Sequence, residues 1–241
     1  MLLGYTNPGR LDAFVAAFAP LRTDPGFAVR HESGFLSPTR HAEVAAAVAQ
    51  VRTDQLEQHE TGLFGRTVIH NMPQLDPLHQ ALAGWVSAAA GEEVVPAYSF
   101  LSLYTKDGTL TPHLDGPVSK WTLDICIDQN VEWPIHVSRV IDWPTCADGG
   151  PAGLPQPGDR ALGFRAFSLR PNDAVLFSGS AQWHYRDPMP DSLTGFCHLL
   201  FLHYHPAGKE NLVDPARWAE VFDLPELDVL HCAFRIAFKR A

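Results

Sequence analysis

The chain has little positive charge. Its 241 residues include 18 Lys and Arg against 27 Asp and Glu, a formal net charge of −9. A surface of that sign repels a phosphate backbone, so nucleic-acid binding is not expected. Cysteine is sparse: Cys126, Cys146, Cys197 and Cys232 are the only four. None stands in C-x-x-C spacing, which argues against a zinc knuckle or a redox pair and fits reduced thiols in a cytoplasmic protein. No 18 apolar residues run together, so no membrane span is expected. The first ten residues lack a basic stretch followed by an apolar one, so no signal peptide is read there. Hydrophobic residues make up 46% and charged ones 19%, a globular balance that excludes disordered and fibrous classes. Histidine is the residue in excess, with 12 copies.

The chain reads as one domain, 1–241, in three regions. Residues 1–92 look like a helical support. Leu11, Phe14, Val15 and Phe18 recur at helical spacing. Ser37-Pro38 opens a second helix running to about Glu57, and Asp76-Pro77 opens a third that Gly91 ends. Residues 93–208 read as β. Val94–Tyr104, Trp121–Asp128, Ile135–Val140, Arg165–Leu169, Ala174–Phe177 and Gly195–Tyr204 are strand-like, and turns separate them, which suggests a sandwich or barrel. The stretch 144–163 holds 4 Pro and 5 Gly and reads as a long loop, a candidate lid. Residues 209–241 read as a C-terminal helical extension. No pattern specifies an oligomeric state.

The segment TPHLDG, residues 111–116, carries the chemistry. In an extended backbone His113 and Asp115 project to one face, so an imidazole nitrogen and a carboxylate oxygen can meet at one cation. A third donor is offered by FSGSAQWHYRDP, residues 177–188, where a strand delivers His184 to the sheet rim. His113, Asp115 and His184 together form a 2-His-1-carboxylate set, which leaves coordination positions open and suits non-haem Fe(II).

LSLYTKDGTLTPHLDGPVSKWTLDICID and RPNDAVLFSGSAQWHYRDP resemble the core of the Fe(II)- and 2-oxoglutarate-dependent dioxygenases, in particular the prolyl-hydroxylase-like members. Tyr104, Gly108, Leu110, His113, Asp115 and Thr122-Leu123 stand at matching places, and the likeness spans roughly residues 95–205. It implies a mainly β protein with flanking helices around a double-stranded β-helix, or jelly roll. It implies Fe(II), 2-oxoglutarate as co-substrate and O2, with decarboxylation to succinate driving hydroxylation of an unactivated C–H bond. The substrate expected is a small molecule, an amino acid, or a peptidyl or carrier-bound residue. Retention of Asp115 argues against halogenation, because the related halogenases have a small residue there.

The likeness is incomplete where the co-substrate's far carboxylate should be held. The family places an Arg or Lys ten to fifteen residues past the distal histidine, yet residues 187–208 contain neither. Arg186 is the nearest cation and, if extended, shares a face with His184. Arg139, Arg165, Lys120 and His198 are the alternatives, and Tyr104 is a candidate phenol donor to the same carboxylate. The remaining histidines, including His136, His203 and His205, read as ordinary strand residues or as supports behind the ligands, not as ligands. A cupin-type dioxygenase without 2-oxoglutarate and a non-catalytic jelly-roll binding protein are the competing readings.

Overall fold

The computed structural model describes residues 2–142, 155–190 and 193–229. Among the described residues ten strands form two sheets: β1 Arg30–Glu32, β2 Arg66–His70, β3 Val94–Thr105, β4 Leu110–His113, β5 Trp121–Gln129, β6 Ile135–Val137, β7 Arg165–Phe167, β8 Ala174–Phe177, β9 His184–Arg186 and β10 Phe196–Pro206. The larger sheet runs β1-β8-β5-β10-β3-β2 and the smaller β4-β9-β6-β7. Every pairing between them is antiparallel. From β3 onward the chain crosses back and forth between the two sheets, which is the winding of a double-stranded β-helix. The expected jelly roll with flanking helices is therefore what the chain forms.

Alternation along the strands sorts side chains into two cores. Leu101, Leu123, Ile125, Leu200, Leu202 and Tyr204 face outward from the larger sheet and meet Val44, Val48, Leu78 and Val86 of the helices Pro38–Ala49 and Asp76–Ala90. Tyr104, Cys126, Val175, Phe177, Leu199 and Phe201 face inward and meet Ile135, Val137 and Phe167 of the smaller sheet. The first helix of this layer starts as its sequence predicts, with Ser37 Oγ accepting from the Arg40 N–H and Pro38 in the first turn. The second is closed by Gly91 in the left-handed region, at φ 73°. Leu3, Leu11 and Phe14 pack on Trp218, Phe222, Leu224 and Leu227, so the two ends of the described chain share a small third cluster.

The structure corrects the reading of residues 1–92. Two of the ten strands, β1 and β2, lie in that region and extend the larger sheet at both edges. The second helix ends at Ala49 instead of continuing to Glu57. Short strands embedded among helices lose the periodicity contest, because three to five residues carry too few alternations to register. The lid expected at 144–163 falls largely outside the described residues, as does the tail past Val229. Within the described part of that loop, Arg160–Leu162 makes a helical turn and Gly158 N–H donates to Tyr185 Oη at 3.0 Å. No helix among the described residues is long and apolar enough to cross a membrane.

Candidate metal centre

Strand register brings the two histidines together. His113 at the end of β4 is the cross-strand partner of His184 at the start of β9, with a register shift between Leu110 and His113. Directly opposed residues share a sheet face, and their rings sit 4.1 Å apart between centroids. Asp115 follows two residues on. Its N–H donates to the Gly179 carbonyl at 2.8 Å, which turns the carboxylate back toward the pair. Asp115 Oδ1 lies 3.8 Å from His113 Nε2 and 3.7 Å from His184 Nε2. One donor atom from each of the three residues lies within 4.8 Å of the others, a spacing that could hold a metal ion.

The hydrogen bonds around the set decide which atoms are free. His113 Nδ1 meets the Thr111 carbonyl at 2.9 Å and His184 Nδ1 meets the Gln182 carbonyl at 3.0 Å. A carbonyl only accepts, so each Nδ1 carries the hydrogen and each Nε2 presents a lone pair. Thr122 Oγ1 donates to Asp115 Oδ2 at 2.8 Å, which occupies one carboxylate oxygen and leaves Oδ1 toward the imidazoles. Because that hydroxyl has spent its hydrogen, it accepts from His203 Nδ1 at 3.1 Å. His203 is 2% exposed, stacks on Tyr98 at 4.3 Å, and its Nε2 has no hydrogen-bond partner.

Electrostatics agree with neutral imidazoles at His184 and His203 beside one anion. Burial, with His113 adjacent, lowers His184 to about 3. Burial likewise lowers His203 to about 4, against the pull of Asp115. Burial alone would raise Asp115, but His184, His203, His113 and the Thr122 hydrogen bond hold its carboxyl below the ordinary value. Gly179 has no room for a side chain. A Cβ there would stand 2.2 Å from Asp115 Oδ2 and 2.6 Å from both the Ser119 carbonyl and Thr122 Oγ1.

The three residues open into a cavity of about 330 Å³ walled by Phe64, Val68, Tyr98, Phe100, Leu110 and Phe201. Ser119 Oγ donates to Tyr98 Oη at 2.9 Å, and burial pushes the Tyr98 phenol up to about 12, so it stays protonated. The cavity also holds Arg66, which the sequence did not mark, and His203, which stands behind Asp115 and Thr122.

The residues expected to anchor a carboxylate lie elsewhere. Arg186 does share the inward face with His184, but it does not line the cavity of the triad and both its terminal nitrogens have partners inside the protein. Nη2 donates to Asp124 Oδ2 at 2.7 Å, Nη1 donates to the Trp133 carbonyl, and the two side chains are 1% and 0% exposed. Burial pushes the Asp124 carboxyl up and the guanidinium pulls it back. The offset is partial, and the Asp124 carboxyl stays above its ordinary value. Arg186 lines a separate groove with Thr109 and Pro157, not the cavity of the triad. His198 stands by Phe196 at 4.9 Å and also does not line that cavity. Lys120 is paired with Glu92 at 2.5 Å, Arg139 donates to the Ala161 carbonyl, and Arg165 lies over Phe167. Tyr104 is 1% exposed and sits behind the cavity wall, where its Oη accepts from Arg66 Nη1 at 2.6 Å.

Fold and side chains together define a double-stranded β-helix carrying a 2-His-1-carboxylate pocket. Solved structures with the same fold include an α-ketoglutarate-dependent epimerase from nogalamycin biosynthesis, SnoN, at TM-score 0.58 and 15% identity, covering 84% of this chain and 88% of that one. HygX from Streptomyces hygroscopicus, solved with nickel and 2-oxoglutarate, is similar at TM-score 0.57 and 10% identity over 80% of this chain and 86% of its own. A Pseudomonas putida prolyl-4-hydroxylase is similar at 0.52 and 13%, over 82% and 99%. No protein-family profile matches the chain, and no curated protein sequence does.

Proposed function

We propose that the protein is a non-haem Fe(II)- and 2-oxoglutarate-dependent oxygenase with His113, Asp115 and His184 as metal ligands. The observation that carries this reading is the convergence of two imidazole Nε2 atoms and one carboxylate oxygen in one cavity, each with its other polar atom already tied down. The donor set fits the metal: two neutral nitrogens and one anionic oxygen suit Fe(II) and leave positions for other ligands. Bound there, iron with 2-oxoglutarate and O2 supplies oxidising power that no side chain has.

The chain's own part is to bind, orient and shield. The carbonyls of Thr111 and Gln182 fix both imidazole tautomers, and Thr122 keeps Asp115 turned to offer Oδ1. Tyr98, Phe100 and Phe201 give the cavity an aromatic wall beside the three donors. We assign hydroxylation of a C–H bond as the reaction, and a small molecule, an amino acid, or a peptidyl or carrier-bound residue as the substrate. The fold neighbours include an epimerase as well as a hydroxylase, so the test addresses the shared chemistry first. Anaerobic addition of 2-oxoglutarate to Fe(II)-loaded protein should give a visible charge-transfer band, and admission of air should yield succinate. Iron binding without either signal sinks the reading and favours a metal enzyme that does not use 2-oxoglutarate.

A further inference from the structure

We infer that Arg66, on the edge strand β2, holds the far carboxylate of the 2-oxo acid, a deepening that rests on the reading proposed above. A dicarboxylic 2-oxo acid that chelates a metal through one end leaves its other carboxylate in the cavity. An anion removed from water needs a cation or several donors there. Among the described residues lining the cavity that also holds His113, Asp115 and His184, Arg66 is the only Arg or Lys, and its ion-pair partner Glu60 lines it too.

The guanidinium is built for one more partner. Its side chain is 8% exposed. Nε donates to Glu60 Oε2 at 2.5 Å, and Nη1 donates to Tyr104 Oη at 2.6 Å and lies 3.4 Å from Ser102 Oγ. Nη2 makes no hydrogen bond with any described residue, so two of the five N–H donors are unspent. The rings of Phe64, Phe100 and Tyr104 surround Cζ at 5.2, 5.3 and 5.2 Å, which fixes the fork in place. The group is therefore preorganised and partly unsatisfied, in the same space as the candidate metal ligands. Strand register explains the position. Arg66 pairs with Tyr104 across β2 and β3, and Arg66, Val68 and His70 alternate toward the cavity.

The test uses full-length protein loaded with Ni(II), which is redox-inert, and titrates two ligands by calorimetry. These are 2-oxoglutarate and 2-oxopentanoate, a 2-oxo acid of the same length without the far carboxylate. Wild type should prefer 2-oxoglutarate by roughly 10- to 150-fold, the worth of a charge-assisted hydrogen bond. Arg66→Met should erase that preference while 2-oxopentanoate affinity and metal stoichiometry stay unchanged. Arg66→Gln, which keeps a donor but not the charge, should also lose most of the preference and serves if the methionine variant does not fold, whereas Arg66→Lys, which keeps the charge but not the fork, should retain part of it. Full 2-oxoglutarate preference in the methionine or glutamine variant overturns the assignment and leaves the oxygenase reading standing. A wild type that binds nickel but neither 2-oxo acid overturns the reading itself.

Discussion

The Arg186–Asp124 pair gives the sharpest test of how the barrel interior is wired. Both side chains are essentially without solvent contact, and Nη2 and Oδ2 are 2.7 Å apart. Asp124 Oδ1 and Arg186 Nε have no hydrogen-bond partner, so the pair is incompletely satisfied. Removing one member of such a pair strands a buried charge and costs roughly 3–5 kcal/mol. For a chain of this length each kcal/mol lowers Tm by about 2–4 °C. Arg186→Met or Asp124→Leu alone should thus lower Tm by on the order of 10 °C, measured by calorimetry or circular dichroism. The double variant Arg186→Met/Asp124→Leu removes both charges and both unmet polar atoms. It should return to within about 1–2 kcal/mol of wild type or exceed it, since apolar replacement of buried pairs is often neutral or stabilising. It should also bind 2-oxoglutarate as wild type does. A double variant that is stable and binds metal but has lost 2-oxoglutarate would show that Arg186 anchors the acid and would refute the reasoning. An unchanged Tm in the single variants would refute the energetic part.

Thr122→Val keeps the shape but removes both hydrogen bonds of the hydroxyl, so metal affinity should fall roughly 10- to 100-fold, read by competition with a chelator. Gly179→Ala drives a Cβ against a backbone carbonyl and against Asp115, so it should abolish stoichiometric metal binding and lower Tm, whereas Gly84→Ala, with open space around it, should not. His203 is lowered to about 4 from 6.5. Its folded pKa lies below its unfolded one, so the unfolded chain takes up the proton first. Metal-free protein should keep this contribution above about pH 6.5 and lose it as pH falls toward 4, on the order of 3 kcal/mol in urea titrations. His203→Phe should flatten that part of the pH profile, and an unchanged slope would count against the neutral buried imidazole.

The parts legible in the sequence were those whose signal is local. Val94–Thr105, Trp121–Gln129, Ala174–Phe177 and Phe196–Pro206 emerge close to where alternation and turn residues placed them, because each is long or cleanly bounded. His113 and Asp115 were legible because two residues on one extended segment need no knowledge of the rest of the chain. Arg66 was not, because its role depends on which strand lies beside β3. A signal was nonetheless present. Thr67-Val68-Ile69 is a β-branched run just behind Gly65, a residue at φ 65° whose Cβ would strike the Asp107 carbonyl. The choice of Arg186 shows the limit from the other side. The same-face argument linking it to His184 holds, yet the same alternation in WTLDICID puts Thr122, Asp124 and Cys126 inside as well. An interior carboxylate on β5 must find a cation, and Arg186 is the one within reach. Charge pairing inside a barrel is set by all its inward-facing residues together. Asp124 on β5 therefore takes Arg186, and the cation that lines the cavity comes from the edge strand β2.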